Sequence, residues 1–198
     1  MYSALIVATV LVYTWIVAPV APRWTAALAA ALVLAFAVVR AAQRGEWGVA
    51  PAAFLPALRA AAVFTAAAAA AIAGAGWRLG SWHARPARAA DAALLVFWAL
   101  GQQFALQIVL LRDAQAIGPR TAAIFVAAAA FAALHLPNPF LTAATFVAAI
   151  VWCAIYDRAP NVVPLALSHA LLTLFVLMAL SDDVTGRLRV GAAYLDLH

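Results

Sequence analysis

Three sets of polar residues interrupt the apolar stretches of this chain: Gln102, Gln103 and Gln107; Phe131 with His135; and Ser168, His169 and Thr173. Imidazole is the side chain whose ordinary titration lies nearest neutral pH, so His135 and His169 are the candidates for moving a proton, polarising a water or holding a metal. Amides donate and accept hydrogen bonds but take up no proton near pH 7. On a helix, Gln103 and Gln107 share a face through their four-residue spacing, while Gln102 lies about 100° round from Gln103. His169 and Thr173 share a face in the same way. A compact bundle can bring two imidazoles, two or three amides and a hydroxyl together below a membrane surface, as a polar pocket.

The elements that must position these groups are membrane helices. The 198 residues are 69% hydrophobic and 10% charged, with a mean hydropathy of +1.03, whereas a soluble domain is nearer half apolar and a quarter charged. The net charge of +5 comes from twelve arginines and no lysine. They stand singly or in pairs between apolar stretches, a pattern of membrane topology rather than of nucleic-acid binding. Cys153 is alone, which excludes a disulfide framework and a cysteine-based zinc site.

A membrane-spanning helix needs roughly 20 mainly apolar residues, and about 17 still suffice. Charges and prolines divide the chain into seven such pieces, at 2–18, 24–39, 56–76, 92–111, 121–136, 140–156 and 162–180. The second and fifth are short. The fold class expected is therefore all-α, a polytopic membrane helix bundle of about seven transmembrane helices in a single membrane domain, 1–198. Residues 1–22 carry no charged side chain and end in Ala-Pro-Val-Ala-Pro, a loose likeness to a signal peptide. They lack its basic leading region and are read as the first membrane helix. Pro137-Asn138-Pro139 breaks an otherwise uncharged run into a tight helical hairpin, because proline ends helices and biases the residue before it to extended backbone.

Trp24, Trp47, Trp77 and Trp82 fall at or beyond span ends, where amphipathic rings favour the headgroup region. Arg59, near the start of the third span, snorkels outward. Residues 77–90, with Arg78, His83, Arg85 and Arg88, form a connection on the membrane surface, and residues 181–198 an extramembrane tail that reads as a short lid or amphipathic piece. Alternate sides carry five arginines (Arg40, Arg44, Arg112, Arg120, Arg158) and six (Arg23, Arg78, Arg85, Arg88, Arg187, Arg189), so the count assigns no orientation.

Polar side chains in lipid find partners within the bundle. Read singly, each glutamine or threonine is hydrogen-bonding glue between helices, worth about 0.6 kcal/mol and at most 1–2. Two histidines on separate apolar spans are different, since intramembrane ionisable groups default to function. No metal or cofactor is expected: catalytic zinc usually has three protein ligands, and two histidines with only amides beside them make a thin site.

The three sets, in this order, resemble the CPBP family of intramembrane proteases, which includes the CAAX-processing enzymes that trim prenylated proteins and many bacterial relatives. The family's pattern is Glu-Glu-x-x-x-Arg, then Phe-x-x-x-His, then His with Asn or another small residue four positions on. Gln102-Gln103-Phe-Ala-Leu-Gln107, Phe131-Ala-Ala-Leu-His135 and His169-Ala-Leu-Leu-Thr173 stand at those places, within a core of about 91–180. The resemblance puts Gln102, Gln103, His135 and His169 at catalytic positions and Gln107, Phe131 and Thr173 at positions that meet the substrate. It implies a membrane-anchored peptide or protein, or a lipid-modified C-terminus, as that substrate, and a bacterial plasma membrane as the setting.

The departure is chemical. The family's first glutamate is taken as the base that activates water, and both glutamates are amides here. The general-base contribution, typically 10²- to 10⁴-fold, is therefore absent at Gln102 and Gln103. The only glutamate, Glu46, lies between the second and third spans, and Asp91 and Asp113 are each about 17 Å from Gln102 by helical rise. Losing the arginine as well is concerted, because a guanidinium without its partner charge is costly in a bundle. The expectation is a protease-like protein with a binding pocket and little or no peptidase activity, a pseudoenzyme. Alternatives are an endopeptidase using His135 and His169, a transporter, or a scaffold for a partner membrane protein. Neither a repeated half nor an intramembrane carboxylate supports transport.

Overall fold

In the computed structural model, which describes residues 1–83 and 89–196, the chain is an all-α bundle. Among the described residues there is no strand, and a lone bridge pairs Val49 with Asn161. The helices are α1 (Tyr2–Val12, continued by a π-helical turn, Tyr13–Val17), α2 (Thr25–Arg44), α3 (Pro51–Leu79) and α4 (Ala89–Phe104). Without a break α4 runs on through a π-helical segment, Ala105–Leu111, into α5 (Arg112–Gln115). After them come α6 (Arg120–Ala133), α7 (Pro139–Arg158), α8 (Val162–Ala179) and the short α9 (Asp182–Thr185) and α10 (Ala192–Leu195).

Five helices are long and apolar enough to cross a membrane by length and composition: Thr25–Arg44, Pro51–Leu79, Asp91–Gln115, Pro139–Arg158 and Val162–Ala179. The apolar helices Tyr2–Val17 and Arg120–Ala133 are shorter. All seven expected spans thus fall on helices, five of them of full length. The second is not short, because α2 continues to Arg44. Arg40 does not end it: the side chain is 6% exposed and its Nε donates to Asp113 Oδ1 at 3.1 Å, so the charge is neutralised inside the bundle. The fifth is short, at 14 residues, or about 21 Å of helix. Pro56 does not open the third span but lies inside α3, which starts at Pro51, where a first-turn proline forfeits no helical hydrogen bond.

Packing follows from small residues. The strongest helix pairings are α3 with α8, α6 with α7 and α4 with α8. Gly76 of α3 lies directly on the backbone of Ala179, so any side chain there would collide. Gly48 has φ +65° and faces Ile108, Tyr156 and Val162, which seats the α2–α3 loop against the start of α8 through a 2.8 Å bond from Val162 N–H to Gly48 O.

Proline does break the chain at 137–139, and α6 and α7 form the expected hairpin. Asn138 caps α7, its Oδ1 accepting from Leu141 N–H at 3.0 Å. The expected surface connection at 77–90 lies partly outside the described residues, as does the end of the tail. Up to Leu79 the connection is still α3. The described part of the tail folds back on the hairpin turn, where Gly191 N–H donates to Leu136 O at 2.8 Å.

Candidate functional site

Gln103 and Gln107 both have 0% exposure, and Gln107 Nε2 donates to Gln103 Oε1 at 3.1 Å. The four-residue spacing brings them together as expected, although Gln107 lies in the π-helical segment. All seven residues of that segment are buried. A π segment inserts extra backbone into a helix and often marks a functional region; no propensity or period in the sequence announces it. Gln103 Nε2 and Gln107 Oε1 are buried without a hydrogen-bond partner. The amide pair thus offers one unmatched donor and one unmatched acceptor. Gln102 is half-buried and takes no part in that bond.

His135 lies beyond the last helical residue of α6, in the turn rather than on the span. Its Nδ1 is 2.9 Å from the Phe131 carbonyl. A carbonyl only accepts, so Nδ1 carries the proton and Nε2 keeps a free lone pair. The Thr145 hydroxyl stands 3.5 Å from the same nitrogen.

Phe131 joins the two histidines. Its ring centroid is 5.1 Å from that of His135 and 6.4 Å from that of His169, edge to face in both cases. His169 stacks on Trp152 at 4.7 Å with a 33° tilt, and its Nδ1 is buried without a partner. The Thr173 hydroxyl donates to the His169 carbonyl at 3.0 Å, which ties it to its own helix. Phe131, His135 and His169 therefore form one group and Gln103 and Gln107 another, on neighbouring elements of one core. No hydrogen bond links the two groups among the described residues.

Sequence reasoning missed Trp152, because a tryptophan in an apolar span reads as core or belt. Its Nε1–H donates to Ser168 Oγ at 3.0 Å, and the Ser168 and Thr65 hydroxyls are 2.7 Å apart. The polar network thus runs from α3 through α8 to α7. A groove of about 570 Å³ opens between α3 and α8, with Leu58, Leu167, Leu171 and Phe175 on its walls and Thr65 and Ser168 within it. Neither amides nor imidazoles line it. Among the described residues no three His, Cys, Asp or Glu side chains gather as metal ligands.

Fold and site together define a polytopic α-helical membrane protein with a buried amide pair beside two aromatic-packed histidines. Residues 89–175 match the family described as type II CAAX prenyl endopeptidase, Rce1-like. The likeness to CAAX-processing proteases carried by the three motifs is borne out over that segment, and the chain is a polytopic membrane protein similar there to those proteases. No curated protein and no solved structure matches it.

Proposed function

We propose that this protein binds a peptide segment or lipid-modified C-terminus of a membrane-anchored protein at the Gln103, His135 and His169 region and cleaves it slowly or not at all, in a bacterial plasma membrane. The observation that carries this is the Gln107 to Gln103 hydrogen bond, in which two neutral amides close on each other and neither accepts a proton. What the pair retains is recognition. An unmatched donor at Gln103 and an unmatched acceptor at Gln107 suit the carbonyl and N–H of a peptide backbone. Leaving each unmatched costs about 1–3 kcal/mol, so a ligand that satisfies both recovers free energy on entry. Both atoms are closed to solvent, so entry requires neighbouring helices to part.

The test is photo-crosslinking in lipid nanodiscs with a prenylated peptide that carries a photoreactive residue. Adducts concentrated within 102–107 and 131–135, and reduced in the Gln103→Leu, Gln107→Leu double variant, support binding there. Adducts spread evenly over lipid-facing residues contradict it.

A second reading has its own observation. The free Nε2 of His135, with Nδ1–H fixed on Phe131, is the tautomer that a histidine base needs. On that reading His135 and His169 do slow peptidase chemistry themselves, and cleavage disappears with His135→Ala.

A further inference from the structure

A histidine that works in a site is usually oriented by a hydrogen bond on the nitrogen that does not react. His135 follows that rule through the Phe131 carbonyl. His169 does not, for its Nδ1 is buried and unbonded. What touches its ring is aromatic: the indole of Trp152 against its face and the ring of Phe131 at 81° to it.

Trp152 is itself buried and held by two further contacts. It is 2% exposed, its N–H is anchored on Ser168 Oγ, and Phe64 packs against it edge-on at 6.2 Å. Ser168 is in turn tied to Thr65, which donates to Ala61 O within α3 at 2.7 Å or to Ser168 itself. The indole therefore grips two successive residues of α8, Ser168 by its N–H and His169 by its face. Swinging it away from Ser168 would leave an indole N–H unmatched in a membrane interior, where no water replaces the partner. One indole orientation is thus selected, and a stacked imidazole takes its plane from it.

We propose that Trp152 is the positioning residue for His169, holding the imidazole by stacking in place of a hydrogen bond, with Ser168 and Thr65 setting the plane of the indole. The functional weight of this rests on the reading that His169 belongs to the ligand site; the positioning itself does not. A tryptophan that only filled the core would bond its N–H as well, but losing that anchor would leave the His169 ring in place, and that difference is measurable.

The experiment is side-chain NMR of histidine-labelled protein in nanodiscs, comparing wild type with Trp152→Phe, Ser168→Ala and Thr65→Val. The expected result is that Trp152→Phe and Ser168→Ala displace and broaden the His169 ring signals, Thr65→Val does so more weakly, and the His135 signals stay in place. Unmoved His169 signals in Ser168→Ala overturn the proposal. So do equal shifts at both histidines, since general loosening moves both. If Trp152→Phe does not fold, Ser168→Ala decides alone, because it removes the anchor and leaves the indole. The peptide crosslinking above separates the two failures: Trp152-dependent His169 signals without site-specific adducts uphold the positioning and sink the binding reading.

Discussion

Gln107 donates to Gln103 across 3.1 Å with both side chains fully buried, so each amide is the other's hydrogen-bond partner inside an apolar core. Truncating one leaves the other unmatched, whereas replacing both with apolar groups of similar shape removes the problem. Gln103→Leu and Gln107→Leu are each expected to destabilise the bundle by about 1–3 kcal/mol, and the double variant by less than the sum of the two. A double-mutant cycle of unfolding in detergent reads this directly. Strict additivity would show that the two amides do not interact.

At one end of the bundle, Asp113 accepts from Arg40 Nε at 3.1 Å and from the Ser3 hydroxyl at 2.8 Å, which joins α1, α2 and α5. Removing one partner of a buried ion pair costs about 3–5 kcal/mol, and replacing both with packed apolar residues costs far less. Asp113→Leu is expected near the low end, since the Asp113 side chain keeps 23% exposure. Arg40→Met with Asp113→Leu is expected to recover most of the loss. Unfolding midpoints of the three variants check it, and a double variant as unstable as Asp113→Leu counts against it.

Asn138 ties the tail to the hairpin turn beside the Gly191 to Leu136 bond. Asn138 Nδ2 donates to Thr185 O at 2.9 Å and to Arg189 O at 3.0 Å. Those carbonyls bracket Arg187 and Leu188, whose φ angles of 52° and 54° are strained for side-chain-bearing residues and persist only when surroundings impose them. At about 1 kcal/mol for each hydrogen bond, Asn138→Ala is expected to speed tryptic cleavage after Arg187 and Arg189 by roughly tenfold or more. Unchanged digestion would show that the tail is held elsewhere.

Gly76 sets the approach of α3 to α8 by lying on the backbone of Ala179. Gly76→Leu is expected to cost about 1–3 kcal/mol through overpacking, and to disturb the Thr65 to Ser168 contact further along the same helix pair. Thermal unfolding reports the first effect and the His169 ring signals the second.

Much of this was legible in the sequence, and for physical reasons. Apolar stretches cut by arginine and proline locate the helices, because lipid admits little else, and the polar sets on those stretches include the fully buried Gln103 and Gln107. Helix ends were less legible: Arg40 looks like a boundary until Asp113, more than seventy residues away, neutralises it. The π-helical segment at 105–111 has no composition of its own. His135 reads as helical from its spacing to Phe131, yet the turn before Pro137 has already begun. Trp152 was invisible as a functional candidate because its role depends on a stack and an N–H contact, both tertiary.

If neutral amides have replaced the chemistry while recognition of a peptide persists, restoring the charged groups restores cleavage. Quenched-fluorescent, membrane-anchored peptides are incubated in lipid with wild type and with the Gln102→Glu, Gln103→Glu, Gln107→Arg variant. Cleavage by the triple variant and little or none by wild type is expected. Brisk cleavage by wild type, abolished by His135→Ala, would contradict it.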